Sequence, residues 1–193
     1  MRWAEKVSVL GDLLELLEIT DHSGAPLDTD AGFERWIEMT RATRRGRRAV
    51  YFAGNGASAS MASHFSADLA KNAGVHTEVF TDPALVTAIA NDLGYEQVFA
   101  EPLRRRGRSG DILVAVSSSG SSPNILAGAE TARALDVQVV SLSAMDAANP
   151  LRRRGDLNFY VPAKTYGDAE TSHAAILHHW MDAMALDFEP PAA

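Results

Sequence analysis

From residue 49 onward the chain alternates short apolar runs with segments of helix length, and that alternation limits its possible folds more than any other feature. Residues 49–53, 77–80, 111–116, 137–142 and 157–161 are the apolar runs, each followed or preceded by a helix-length segment. Strands that are apolar along their whole length are buried on both faces, so helices must lie above and below the sheet. The expectation is an α/β domain: a five-stranded parallel sheet flanked by helices on both faces. Ligands of such sheets sit beyond the carboxyl ends of the strands, so the residues after each run are where chemistry is to be sought.

Two amphipathic helices precede the first run. Val7, Leu10, Leu14 and Leu17 recur at helical spacing with acids between them, and Phe33, Trp36 and Ile37 repeat the pattern. Between them, 22–30 is rich in Gly, Pro, Asp and Thr and reads as a loop ending in a helix cap at 28–30. The second helix ends in Arg41, Arg44, Arg45, Arg47 and Arg48, a run that suits the C-terminal end of a helix dipole and a solvated surface. The expected division is a helical pair over 1–45, packing on the core and in an oligomer, and an α/β unit over 46–190. At 193 residues the two form one structural unit.

Charge and composition narrow the function. Eighteen Lys and Arg against 25 Asp and Glu leave a net charge of -7, which argues against general binding to nucleic acid or anionic membrane. The absence of Cys removes thiol catalysis and thiolate metal sites, so any metal must take His and carboxylate ligands. Arg2, Glu5, Lys6, Asp12, Glu15 and Glu18 interrupt any signal-peptide core, and no eighteen apolar residues run together. A cytoplasmic protein without membrane contact is expected.

Two loops carry the chemistry. The first run is followed by Gly54, Asn55, Gly56, Ala57, Ser58 and Ala59, whose Gly54–Gly56–Ala59 spacing fits the dinucleotide pattern G-x-G-x-x-A. Glu78 or Asp82 would have to serve as the ribose-binding acid, so a nicotinamide enzyme stays open as one reading. The third run is followed by Ser117, Ser118, Ser119, Gly120, Ser121, Ser122 and Pro123. Five hydroxyls around one glycine at a helix N-terminus form a neutral cradle for a phosphate monoester. No G-K-[ST] step is present, which disfavours triphosphate hydrolysis. His64 and Asp68, one helical turn apart, can present two ligands to one divalent ion, and Glu170, His173 and His178 lie on a second helix able to complete a nitrogen and oxygen site for zinc.

Segments 54–58, 64–65, 85–92, 94–95, 98–99, 110–113 and 117–124 together resemble sugar isomerase (SIS) domains, and more closely the phosphoheptose isomerase family. The resemblance implies conversion of sedoheptulose 7-phosphate to an aldoheptose 7-phosphate by a homotetramer whose sites draw on neighbouring subunits. It implies a phosphate loop at Ser117, Ser118, Ser119 and Ser122, with Asn55, Gly56, Ser58 and Asp92 as further substrate contacts. The family's metal-site His and Glu fall on His64 and Asp68, and its C-terminal Gln and His on Glu170 and His178. His179 with Thr171 is the alternative register. Two positions depart from the family: Asp68 is one methylene shorter, and Glu170 replaces an amide. The implied set is therefore Asp68, Glu170 and His178 as catalytic groups, with His64, Asp68, Glu170 and His178 around zinc. His173 and His179 read as packing residues. The other reading of a different class is a non-catalytic SIS module that binds a phosphosugar, or a protein partner, and regulates something else.

Overall fold

The structure, a computed structural model, describes residues 2–186 and 188. Helix α1 (Trp3–Glu15) is followed by a short hairpin, β1 (Glu18–Asp21) and β2 (Pro26–Leu27), and then by α2 (Thr29–Arg45). The alternating part runs β3 (Ala49–Gly54), α3 (Ala57–Ala73), β4 (His76–Val79), α4 (Pro83–Leu93), α5 (Ala100–Arg106), β5 (Ile112–Ser117), α6 (Pro123–Ala134), β6 (Gln138–Ala144), β7 (Leu157–Val161) and α7 (Tyr166–Leu186). The α/β unit expected over 46–190 reaches residues 187, 189 and 190, which lie outside the described residues.

All five expected strands form, and they pair in parallel in the order β4-β3-β5-β6-β7. The sheet itself has seven strands, which corrects the expected five: β1 pairs antiparallel with β7, from Glu18 opposite Tyr160 to Asp21 opposite Leu157, and β2 pairs with β1. Strand β1, just before the segment read as a loop, therefore covers what would be the open edge of β7, an unpaired row of N–H and C=O groups, and β2, within that segment, pairs with β1 in turn. Ile19 is buried there against α2, and Gly32 permits the approach, since a Cβ at 32 would meet Ile19 atoms at 2.7 Å.

The helices divide between the two faces of the sheet. On one face Trp36 of α2 stacks on Trp180 of α7 (centroids 4.2 Å apart, planes 9° apart), with Phe52, Phe65 and Phe159 around them. The Trp180 indole donates to Thr40 Oγ1 at 3.1 Å, so its polar edge is satisfied inside the core. On the other face Tyr51, Phe80, Phe99, Leu113 and Val139 pack together beneath α4, α5 and α6. Helix α2 starts as expected, with Asp28 accepting from the Asp30 and Ala31 N–H groups. Helix α1 buries none of its residues and leaves Trp3 79% exposed. Among the described residues no helix is long and apolar enough to cross a membrane.

Candidate active site at the carboxyl ends of the strands

The site begins with a glycine. Strand β3 ends at Gly54, where a Cβ would come within 2.5 Å of the Ser58 carbonyl, so only glycine lets α3 start this close to the strand. Gly56 follows at φ +54°, and Ser58 is buried in the first turn of α3. Beside it, β5 ends in the serine loop. Gly120 has φ +61°, and a Cβ there would sit 2.0 Å from Asn149 Oδ1. Asn149 is itself fixed, donating through Nδ2 to Ser143 Oγ, the Ala144 carbonyl and the Asp146 carbonyl. The loop is thus seated on a buried amide, with Ser117 Oγ and Ser122 Oγ 3.3 Å apart across its mouth.

Between the two loops lies a cavity of about 250 Å³ lined by Asn55, Gly56, Ala57, Ser58, Val116, Ser117, Ser118, Ser119, Ser122, Tyr166 and Glu170. The N-termini of α3, α6 and α7 all supply residues to it, and neither the α3 cap, Gly56, nor the α6 cap, Ser122, satisfies its helix with a side chain. The first-turn N–H groups of α3 and the Asn124 N–H of α6, where Pro123 has none and the Ile125 N–H is taken by Asn124 Oδ1, form with the serine hydroxyls an anion site without Lys or Arg. Glu170 is the one carboxylate in the lining, and it stands beside a neutral cradle.

His64, Asp68 and His178 meet at the seam between α3 and α7. His64 Nε2 is 3.6 Å from Asp68 Oδ2, and the His64 and His178 rings lie 5.8 Å apart with Phe65 against His178. Asp68 also reaches Lys71 at 3.6 Å. His179 turns the other way and meets Phe33 edge-on at 4.5 Å, while Thr171 donates to the Gly167 carbonyl. Glu170 precedes His178 by eight residues, roughly 12 Å along a helix. The expected set of four ligands is therefore divided within one chain, three at the seam and one in the cavity. Among the described residues no three His, Cys, Asp or Glu side chains are grouped to hold a metal ion. The side chains are of the kind zinc takes, but their placement in the single chain does not close around one.

The remaining candidates fall elsewhere. Asp92 is exposed near the end of α4, accepts from Asn91 Nδ2 and does not line the cavity. Glu78 is engaged by Arg106 at 2.7 Å, and Asp82 caps α4 by accepting from the Leu85 N–H, so both candidates for the one acid a dinucleotide would need have other tasks. His173 is wholly buried, and burial pushes its imidazole down to about 4. The Ser143 backbone acts in the opposite direction, but neither ring nitrogen makes a hydrogen bond.

Sequence reasoning passed over Asn124 and Tyr166. Asn124 and Asn55 exchange two amide hydrogen bonds, 2.8 and 2.9 Å, that tie the glycine loop to the serine loop. Tyr95 Oη adds a 3.3 Å bond to Asn55 Oδ1. The signal for Asn124 was its position, directly after Ser122 and Pro123 at a helix start. For Tyr166 the signal was a large aromatic, 63% exposed, opening the helix that carries Glu170.

Comparison with known proteins agrees with this geometry. The profile of the SIS domain family matches residues 28–144. The phosphoheptose isomerase of Streptomyces coelicolor is 36% identical over 151 residues, covering 75% of this chain and 65% of that protein, so this chain spans just under two thirds of it. The phosphoheptose isomerase of Shewanella denitrificans is 33% identical over 153 residues, 75% of this chain and 78% of that protein. The solved structure of phosphoheptose isomerase from Neisseria gonorrhoeae superposes with a TM-score of 0.73 at 27% identity, covering 79% of this chain and 85% of that one. With a matched profile over more than half its length and relatives at this identity, the chain belongs to the SIS domain family and, within it, to the phosphoheptose isomerases.

Proposed function

We propose that the protein is an aldose–ketose isomerase of a sugar phosphate, with sedoheptulose 7-phosphate and the corresponding aldoheptose 7-phosphate as its pair. The observation that carries this reading is the cavity in which a neutral phosphate cradle and a single carboxylate, Glu170, face each other. The phosphate is held by Ser117, Ser118, Ser119 and Ser122 together with the first-turn N–H groups of α3 and the Asn124 N–H of α6, and Asn55, Gly56 and Ser58 line the approach. The far end of the sugar then lies with Glu170.

The reaction moves one proton between adjacent carbons. A base takes the proton on C1 of the ketose, the C–H electron pair becomes the C1–C2 double bond, and the C2 carbonyl becomes an enediolate oxygen. Return of a proton to C2, with loss of the O1 proton, gives the aldose without net oxidation. Glu170 supplies the base, and His178 serves as the acid for the oxygen that gains charge. Asp68 holds His64 at the seam. Because Glu170 and His178 are far apart within one chain, the reading requires a second copy to bring its seam to the cavity. We therefore include a homotetramer in the proposal, supported by the uncovered apolar surface of α1, where Trp3 and Val7 are 79% and 50% exposed. A zinc ion at the assembled seam is part of the same proposal, and no proton transfer above depends on it. Such an ion would polarise the sugar carbonyl. Metal analysis of protein purified without chelator should find about one zinc per site, lost in His64→Ala; active, metal-free wild type overturns that part. The cytoplasm is the proposed compartment, since a sugar phosphate does not cross membranes unaided.

The test is direct. Sedoheptulose 7-phosphate in deuterated water should yield aldose carrying solvent deuterium. Glu170→Gln should lower kcat by about 10²-fold or more at similar KM. Ser119→Ala with Ser122→Ala should raise KM instead. Tight binding of the sugar phosphate without exchange or turnover would replace the isomerase with the phosphosugar-binding module.

A further inference from the structure

The arginine run at the end of α2 does not behave as a dipole complement alone. Arg44 and Arg45 occupy the last turn, but Arg47 and Arg48 lie past it, in the link to β3. There they join Arg105, Arg106, Arg108 and His76 around a cavity of about 400 Å³, floored by Ala49 and Tyr51. This cavity sits at the amino ends of β3, β4 and β5, the opposite end of the sheet from the serine loop and roughly 20 Å away along the strands.

The acids in the cavity are already engaged. Glu78 takes Arg106 at 2.7 Å and His76 at 3.8 Å. Asp111 accepts the N–H groups of Ala49 and Arg108 at 2.8 and 2.7 Å, and Arg105 is paired with Glu101 outside the lining. The guanidinium groups of Arg47, Arg48 and Arg108 have no ion-pair or hydrogen-bond partner among the described residues. Two of these positions are also built in a way that a solvated surface does not require. Arg47 has φ +52°, a left-handed conformation that costs an arginine more than a glycine. Arg48 lies over Gly110, where a Cβ would meet its Cγ at 3.4 Å.

We propose that this cavity binds a small anion carrying two or more linked phosphates. Arginine is the side chain suited to phosphate oxygens, since its planar fork donates two parallel N–H bonds. Three free forks around one concavity exceed what a single phosphate engages. A nucleic acid is the weaker fit, because it requires a basic stripe along the surface, whereas this chain carries a net charge of -7 and Arg47, Arg48 and Arg108 are gathered around one hollow. The inference does not rest on the isomerase reading.

Calorimetric titration with sodium tripolyphosphate tests it, carried out on the full chain with Ser119→Ala and Ser122→Ala so that the serine cradle does not contribute. One saturable site is expected, about tenfold or more tighter than orthophosphate and weakening as salt rises. Arg48→Ala or Arg108→Ala should cost about tenfold in affinity. Arg47→Gly should cost a similar factor while the melting temperature holds or rises, because glycine accepts the left-handed backbone. No saturable binding, binding indifferent to all three substitutions, or tighter binding of a short DNA duplex than of tripolyphosphate would each overturn the proposal.

Discussion

Gly120 shows how much of the site depends on one missing carbon. Its positive φ and the 2.0 Å separation of a Cβ from Asn149 Oδ1 leave no room for any Cβ, and Asn149 cannot withdraw without releasing three acceptors, two of them buried. Gly120→Ala should therefore shift the serine loop and cost about 2 kcal/mol or more of stability, read by chemical denaturation, together with sugar-phosphate binding. His173 yields a second prediction. Its imidazole is pushed by burial from 6.5 to about 4, so between those values the unfolded chain takes up a proton that the folded chain refuses. Stability supplied by the neutral ring is complete above pH 6.5 and is lost as pH falls toward 4, on the order of 3 kcal/mol over that window. A His173→Gln chain, which cannot titrate there, should show a flatter profile from pH 6.5 to 4; parallel profiles would mean that the folded ring protonates freely. At this scale the sequence displays the serines and the glycines plainly, because their types alone signal a cradle. It does not display the Asn55–Asn124 pair, whose members are 69 residues apart and become partners only when β3 and β5 align.

Among the elements, α1 buries none of its residues, and a charged pair joins it to α7 beside the packing of Leu13 on the core. Lys6 donates to Asp168, which also accepts from Thr165 Oγ1 at 2.6 Å, and these bonds hold the Asp168 carboxyl below its ordinary 3.8. A carboxylate depressed in the folded state stabilises above its unfolded pKa and loses that contribution as pH drops through the folded value. Lys6 keeps 31% of its side-chain surface in water, so the pair is screened and its loss in Asp168→Asn should cost only about 1 kcal/mol at neutral pH. The difference between the two chains should close below about pH 3.8; a gap that persists into acid would place the cost in packing. Elements were legible in proportion to how far their own residues specify them. Strands β3, β5, β6 and β7 are mostly apolar and buried along nearly their whole length, and they stand out; β1 and β2 do not, with four and two residues and only Ile19 buried. The β1 strand exists because β7, some 140 residues later, offers an edge, and no local pattern encodes that.

At the scale of the whole molecule, the separation of Glu170 from His178 decides how the site can work. Helical spacing already placed them about two turns apart, and folding puts the first in the cavity and the second at the seam with His64. A single chain that catalyses alone would have to do so with the cavity groups only, whereas an assembly can seat one copy's seam over another copy's cavity. The proposed tetramer should scatter light as about four times the 20.7 kDa chain at micromolar concentration. Mass alone would not show that the sites are shared, but mixing variants would. Glu170→Gln and His178→Ala chains should each be nearly inactive as pure assemblies. When they are co-expressed in equal amounts, random pairing leaves about a quarter of shared sites with both residues intact, so activity should return to about a quarter of wild type. A mixture no more active than its parents would place Glu170 and His178 in the same chain's reaction, or His178 outside it. The cavity with its serine loop and Glu170 would then have to account for catalysis by itself.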